Sequence, residues 1–176
     1  MVGATFTIEN VKFLEQMAEK IAQAFKRGNK ILLCGNGGSA ADSQHIAAEF
    51  VGRFRQERKS LPAIALTTDT SILTALANDY SYEEVFKRQV EGLGREGDIL
   101  IGISTSGDSK NVIEAAKRAN AMGLAVFSFT GLSGGALKGL ADLNFSASSK
   151  KTPHIQEMHM TALHAVSEAV EDLLFP

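Results

Sequence analysis

The sequence predicts an α/β fold: a doubly wound, three-layer sandwich on a five-stranded parallel sheet, with an extra helix at each end. Three observations carry that prediction. Short apolar runs alternate with stretches of helical periodicity along the chain. The apolar runs are continuous rather than alternating, as strands covered on both faces require. No linker and no repeat of roughly 20–50 residues divides the 176 residues, so a single domain, 1–176, is expected.

The elements follow in order. Residues 7–27 set Ile8, Val11, Leu14, Met17, Ala18, Ile21 and Phe25 at helical spacing, and Gly28 with Asn29 ends that helix. Strands are expected near 30–34, 62–66, 98–103, 124–129 and 142–146. Helices are expected over 39–54, over 70–78 with 82–93, and over 108–121. A long amphipathic helix, 154–174, closes the chain.

Composition narrows the function classes. Hydrophobic residues make up 44% and charged residues 22%, and the net charge is −2. Nothing there is a footprint for nucleic acid or an anionic membrane. The one basic run, Arg53 to Lys59, also holds Glu57 and reads as a solvated loop from which Arg53 could reach a pocket. The single cysteine, Cys34, ends an apolar strand and reads as a core thiol, without a disulfide framework. The N-terminus carries no basic segment followed by a long apolar stretch, so a cytoplasmic protein is expected.

The stretch Ile99 to Ser109 reads Ile-Leu-Ile-Gly-Ile-Ser-Thr-Ser-Gly-Asp-Ser. A buried strand hands over to a helix through a loop carrying Ser104, Thr105, Ser106 and Ser109. Free N–H groups and the positive dipole end at a helix start favour an anion, and the hydroxyls add donors. No lysine sits in the loop, which separates it from the nucleotide P-loop. One terminal phosphate, as on a sugar phosphate, fits. A single serine would read as a helix cap; four hydroxyls in six residues favour anion binding.

Ligands in such a sheet gather at the carboxyl ends of the strands. A second loop therefore shares the crevice: Gly35-Asn36-Gly37-Gly38-Ser39, which follows the strand Ile31-Leu32-Leu33-Cys34. With Ala40 it formally fits the dinucleotide fingerprint G-x-G-x-x-A. The polar run at Arg55 to Glu57, where an acidic residue should end a second strand, counts against that reading. Close backbone approach to a small ligand at Gly37 and Gly38 is the better account.

Asp42, His45 and Glu49 follow on the next helix. His45 and Glu49 are four apart, on one face. By spacing alone an exposed surface pair explains them; the ligand loop just upstream raises an acid–base pair or a divalent metal to equal standing. The last helix carries Gln156, Glu157, His159 and His164, and a satisfied core histidine is an open alternative for His164. Gln156 and His164 lie about 12 Å apart along the axis and about 80° apart around it. For both to serve one site, one must come from a neighbouring subunit or the helix must start after Gln156.

Five ordered motifs now stand together: Gly35-Asn-Gly-Gly-Ser39, His45-Ile-Ala-Ala-Glu49, Ala77-Asn78-Asp79, Gly102-Ile-Ser-Thr-Ser-Gly-Asp-Ser109 and Ile155-Gln-Glu-Met-His-Met-Thr-Ala-Leu-His164. From about residue 7 to the C-terminus the chain resembles the sedoheptulose 7-phosphate isomerases, the phosphoheptose isomerases of the sugar isomerase (SIS) domain superfamily. The resemblance implies isomerisation of sedoheptulose 7-phosphate to D-glycero-D-manno-heptose 7-phosphate, the first step towards ADP-heptose for lipopolysaccharide. It implies that Ser104, Thr105, Ser106 and Ser109 hold the phosphate, and that Asn36, Gly37, Gly38, Ser39, Glu49, Asn78, Asp79 and Gln156 contact the sugar. Glu49 and His164 would transfer protons. His45, Glu49, Gln156 and His164 correspond to zinc ligands assigned in some members. The family assembles as tetramers partly through its N-terminal helical region, which is shorter here than in many members; a homotetramer with sites at subunit interfaces is expected.

A ketose-to-aldose conversion asks for the same parts. A proton moves between C1 and C2 through an enediol, and another between O1 and O2. This takes a carboxylate base, an acid partner and a group that polarises the carbonyl. The rival reading is a non-catalytic SIS domain, either a phosphosugar sensor or the replication-initiation adaptor that these motifs also resemble. That adaptor lacks the carboxylate and the last histidine. Glu49 and His164 are both present in this chain.

Overall fold

The protein is described by a computed structural model covering residues 5–176. Its five strands are β1 (Ile31–Gly35), β2 (Ala63–Ala65), β3 (Ile99–Ser104), β4 (Ala125–Thr130) and β5 (Leu143–Ser146). They pair in the order β2-β1-β3-β4-β5, all parallel. The helices are α1 (Ile8–Lys26), α2 (Gly38–Val51), α3 (Thr70–Asp79), α4 (Lys87–Leu93), α5 (Lys110–Ala121), α6 (Gly135–Lys138) and α7 (Thr152–Leu174).

The strands are apolar throughout because each serves two cores. Ile31 and Leu33 of β1, with Ile99, Ile101 and Ile103 of β3 and Phe127 and Phe129 of β4, face α1, α2 and α7. The alternate residues Leu32, Cys34, Leu100 and Val126 face Val112, Ala115, Ala116 and Ala119 of α5 and Val90 of α4. Period-two alternation thus runs between two buried faces, not between core and water. Helix starts are marked locally: the Asn10 N–H donates to Thr7 Oγ1 (3.2 Å) and the Ile72 N–H to Asp69 Oδ1 (2.9 Å).

Two readings need correction. The helix expected over 82–93 spans only Lys87–Leu93; Val85 and Phe86 are buried in the second core, and their docking takes the chain through turns first. The short α6, led in by the left-handed Gly134 and Gly135, falls where no helix was read. The first and last helices pack in one cluster, Leu14, Met17, Ala18 and Ile21 with Met158, Ala162, Leu163 and Val166, and leave Ile8, Val11 and Leu173 exposed. Helix α3 rests on the second core through the partly buried Leu73, Leu76 and Ala77, buries no residue and leaves Ile72 37% exposed. Among the described residues no helix is long and apolar enough to cross a membrane.

Candidate active site

Strand order reverses between β1 and β3, where Cys34 pairs with Gly102 and Gly35 with Ile103. This is the switch point at which open α/β sheets form a crevice. The loop after β1 (Asn36 and Gly37) and the loop after β3 (Thr105 to Ser109) therefore emerge side by side.

The second loop is organised by its own hydroxyls. Ser104 is buried and its Oγ lies 2.9 Å from Ser109 Oγ and 3.4 Å from Ser106 Oγ. The Gly107 N–H donates to Ser104 Oγ (3.1 Å) and the Asp108 N–H to Ser106 Oγ (3.1 Å). Gly107 sits at φ +75°, and a Cβ there would run into the Gly134 carbonyl. From that side α6 braces the loop: the Ala136 N–H donates to Asp108 Oδ1 (2.9 Å). Ser109 is the N-cap of α5, yet its hydroxyl makes no cap bond and stays in the serine cluster. The helix start keeps free N–H groups beside a ring of hydroxyls, an anion cradle by its donors and its dipole. Thr105 and Ser106 also line a cleft of about 460 Å³ shared with Ser149 and Lys150, a cation the sequence reading did not connect to this loop.

The two loops are tied by a reciprocal amide pair. Asn36 Nδ2 donates to Asn111 Oδ1 and Asn111 Nδ2 to Asn36 Oδ1, both at 2.8 Å, and the Tyr82 hydroxyl donates to Asn36 Oδ1 (3.1 Å). Asn111 and Tyr82 were missed in the sequence, and Asn111 is buried. The Asn36 side chain is thereby engaged inside the protein. Ser39 is buried under the turn, and its carbonyl accepts the Ser43 hydroxyl (2.8 Å). Asn78 and Asp79 close α3, exposed and bonded to each other (2.8 Å). Gly37 and Gly38 are exposed at the start of α2.

Helices α2 and α7 run side by side in the same direction. At their starts a Cβ on Gly38 would collide with the Gln156 amide. Further along, His45 Nε2 lies 3.1 Å from His164 Nε2 and 3.0 Å from Glu49 Oε1. The donor atoms of His45, Glu49 and His164 all lie within 4.8 Å of one another, a group able to hold a metal ion. So three of the four expected ligands converge within one chain. Gln156 stands two turns earlier on α7, beside the ligand loop and inside the helix, so the helix does not start after it.

His164 is partly exposed and faces this cluster. His159 is the core histidine of α7. It is fully buried, with Nε2 3.0 Å from the Thr130 carbonyl, and burial pushes its pKa down to about 4. Burial pushes the Cys34 thiol up to about 12, so it is a packing residue. Asp42, one turn before His45, has Oδ2 buried without a partner; burial raises its pKa to about 6, against the pull of His45. The basic run is solvated only in part. Arg53 is exposed and pairs with Glu57 (3.5 Å), but the Arg58 side chain is 1% exposed and bonds Glu171.

Residues 4–131 match the SIS domain family. The chain is 62% identical over 159 residues to a phosphoheptose isomerase of Roseiflexus sp., covering 90% of this chain and 81% of that one. It is 53% identical over 165 residues to one from Clostridium acetobutylicum, covering 94% and 84%. Its fold superimposes on the phosphoheptose isomerase structure from Neisseria gonorrhoeae with a TM-score of 0.88 at 45% identity, covering 92% of this chain and 86% of the other. For the structure from Francisella tularensis the values are 0.89 and 36%, covering 94% and 90%.

Proposed function

Since the chain belongs to the phosphoheptose isomerase family of SIS-domain proteins, we propose that it interconverts sedoheptulose 7-phosphate and D-glycero-D-manno-heptose 7-phosphate. The observation that carries this reading is the meeting in one cluster of Glu49, on the helix that starts at the ligand loop, and His164 of α7. A binding module needs the serine cradle but not that pair, so the sensor or adaptor reading is not favoured.

Ser104, Thr105, Ser106 and Ser109, with the N–H groups at the start of α5, hold the phosphate. That contact is remote from the reacting carbons and orients them. Asn36, Gly37, Gly38, Ser39, Asn78, Asp79 and Gln156 are the residues assigned to the sugar. The carboxylate of Glu49 takes the proton from C1, leaving an enediol, and returns it to C2. His164 moves the accompanying proton from O1 to O2, so the atoms balance with no external oxidant or reductant.

Zinc fits the donor set. Two imidazoles and a carboxylate, with Nε2–Nε2 and Nε2–Oε1 separations of 3.1 and 3.0 Å, match the ligand types of open catalytic sites. His45, Glu49 and His164 would hold the ion; the Gln156 that the family also assigns stands two turns away in this chain and would have to come from a neighbouring subunit. When bound, zinc supplies a Lewis acid for the carbonyl oxygen.

The assembly we infer is a homotetramer. It is supported by α3, which carries no buried residue and leaves Ile72 37% exposed, and its mass in solution by light scattering tests it; a monomeric mass would refute it. A cytoplasmic setting suits the buried, unpaired Cys34. The deciding experiment for the activity incubates purified protein with sedoheptulose 7-phosphate and follows aldose formation. No aldose would overturn the reading.

A further inference from the structure

The segment between α2 and β2 carries a buried ion pair that the chemistry above leaves unused. Glu171 of α7 is 1% exposed. Its carboxylate accepts from three successive backbone N–H groups, Phe54 (2.9 Å), Arg55 (2.8 Å) and Gln56 (3.2 Å), and from Arg58 Nε (2.8 Å). These donors hold its pKa below the usual carboxylate range in spite of burial.

Arg58 turns its remaining donors on the end of α2. Nη2 donates to the Glu49 carbonyl (2.7 Å), and Nη1 to the carbonyls of Phe50 (2.8 Å), Lys59 (3.0 Å) and Gly52 (3.3 Å). One guanidinium therefore ties the backbone of Glu49 to α7. The same carboxylate anchors Phe54, whose ring stacks on His164 with centroids 5.4 Å apart and planes at 17°. Glu171 lies seven residues after His164 on the same side of α7. Both proton-transfer residues are thus held from behind by one ionic knot.

We propose that Arg58, Glu171 and Phe54 form a positioning unit for the reaction. The ion pair sets the register of α2 against α7, and Phe54 transmits that register to the imidazole of His164. None of the three need touch the substrate. The proposal rests on the isomerase reading, and Phe54 is the place to test it. Its side chain is only partly buried, and its anchoring N–H survives any side-chain change.

Phe54→Leu removes the stacked ring and keeps an apolar side chain. We expect kcat on sedoheptulose 7-phosphate to fall about tenfold or more, since displacement of a reacting group by about 1 Å can cost on the order of 100-fold. KM should stay within about twofold, because the phosphate cradle is untouched. Phe54→Tyr restores the ring and should restore kcat. Arg58→Lys keeps the charge but cannot bind Glu171 and the α2 carbonyls together, and should show the same fall in kcat at steady KM; if it does not fold, the Phe54 pair of variants decides alone. A folded Phe54→Leu protein with wild-type kcat, a change confined to KM, or a Phe54→Tyr variant as slow as Phe54→Leu would overturn the positioning role while wild-type turnover upholds the isomerase reading. A wild-type protein that forms no aldose would overturn both.

Discussion

The serine cradle at residues 104–109 and the His45–Glu49–His164 cluster serve one crevice but are built in opposite ways. The cradle is contiguous in sequence, bonded to itself, and braced by Gly107 and the α6 contact. The cluster joins residues up to 119 positions apart, through side chains carried on two helices. A group that merely holds a phosphate can be specified by local turn chemistry. A proton-transfer pair needs two rigid elements in register, which only the completed core supplies. The binding half and the chemical half should therefore fail independently.

The largest effect should come from breaking the cluster. Glu49→Gln keeps size and removes the base, so kcat should drop at least ~100-fold, with KM near the wild-type value and the urea midpoint little changed. Near-normal turnover would detach this pair from the chemistry. Breaking the cradle should do the reverse. Ser106→Ala removes an exposed hydroxyl, and a hydrogen bond to a charged group contributes about 1.5–3 kcal/mol. KM in steady-state assays should therefore rise at least ~10-fold while kcat holds; a fall in kcat alone would mean the two halves are coupled.

Gly38→Ala sharpens the boundary between them. The new methyl group meets the flexible end of Gln156, which must swing aside. A rise in KM of roughly a few-fold is expected, with the cluster intact and zinc affinity, read by titration with a chelator, weakened only if Gln156 is a ligand.

The smallest effect concerns Asp42, whose pKa rises from 3.8 to about 6 in the fold. The folded state keeps a proton that the unfolded chain releases near pH ~4. The contribution is therefore fully present below that pH and is lost as pH rises through about 6. Asp42→Asn should flatten the pH dependence of the urea midpoint across that window, modestly because the residue is half-buried. An unchanged slope would show the carboxyl to be well hydrated.

The legibility of this molecule follows the same division. Alternating apolar runs and helical stretches fixed the sheet because each strand faces two cores, as Leu32 and Leu33 show. The cradle could be read because its hydroxyls are adjacent. His45 and Glu49 stayed ambiguous on spacing alone, since only the arrival of His164 separates a site from a surface pair. The eight-position spacing of Gln156 and His164 looked like an obstacle. Parallel packing turns that distance into use, one residue for the ligand loop and the other for the cluster. Asn111 and Tyr82 gave no local signal, because their partner Asn36 is distant in sequence. Glu171 did leave one: a carboxylate in the helical stripe of Leu163, Val166, Ser167 and Val170 is a charge where burial is expected, and it calls for a buried cation such as Arg58.

Helix α7 is also synthesised after every other described element. The β3–cradle–α5 unit is local in sequence, one run from Ile99 to Ala121. The pair that moves protons is not, because His164 comes into being as part of the element that completes the first core. A fold in which α7 has not docked has the local cradle but not the proton-transfer pair, so turnover in this protein reports that α7 is in place.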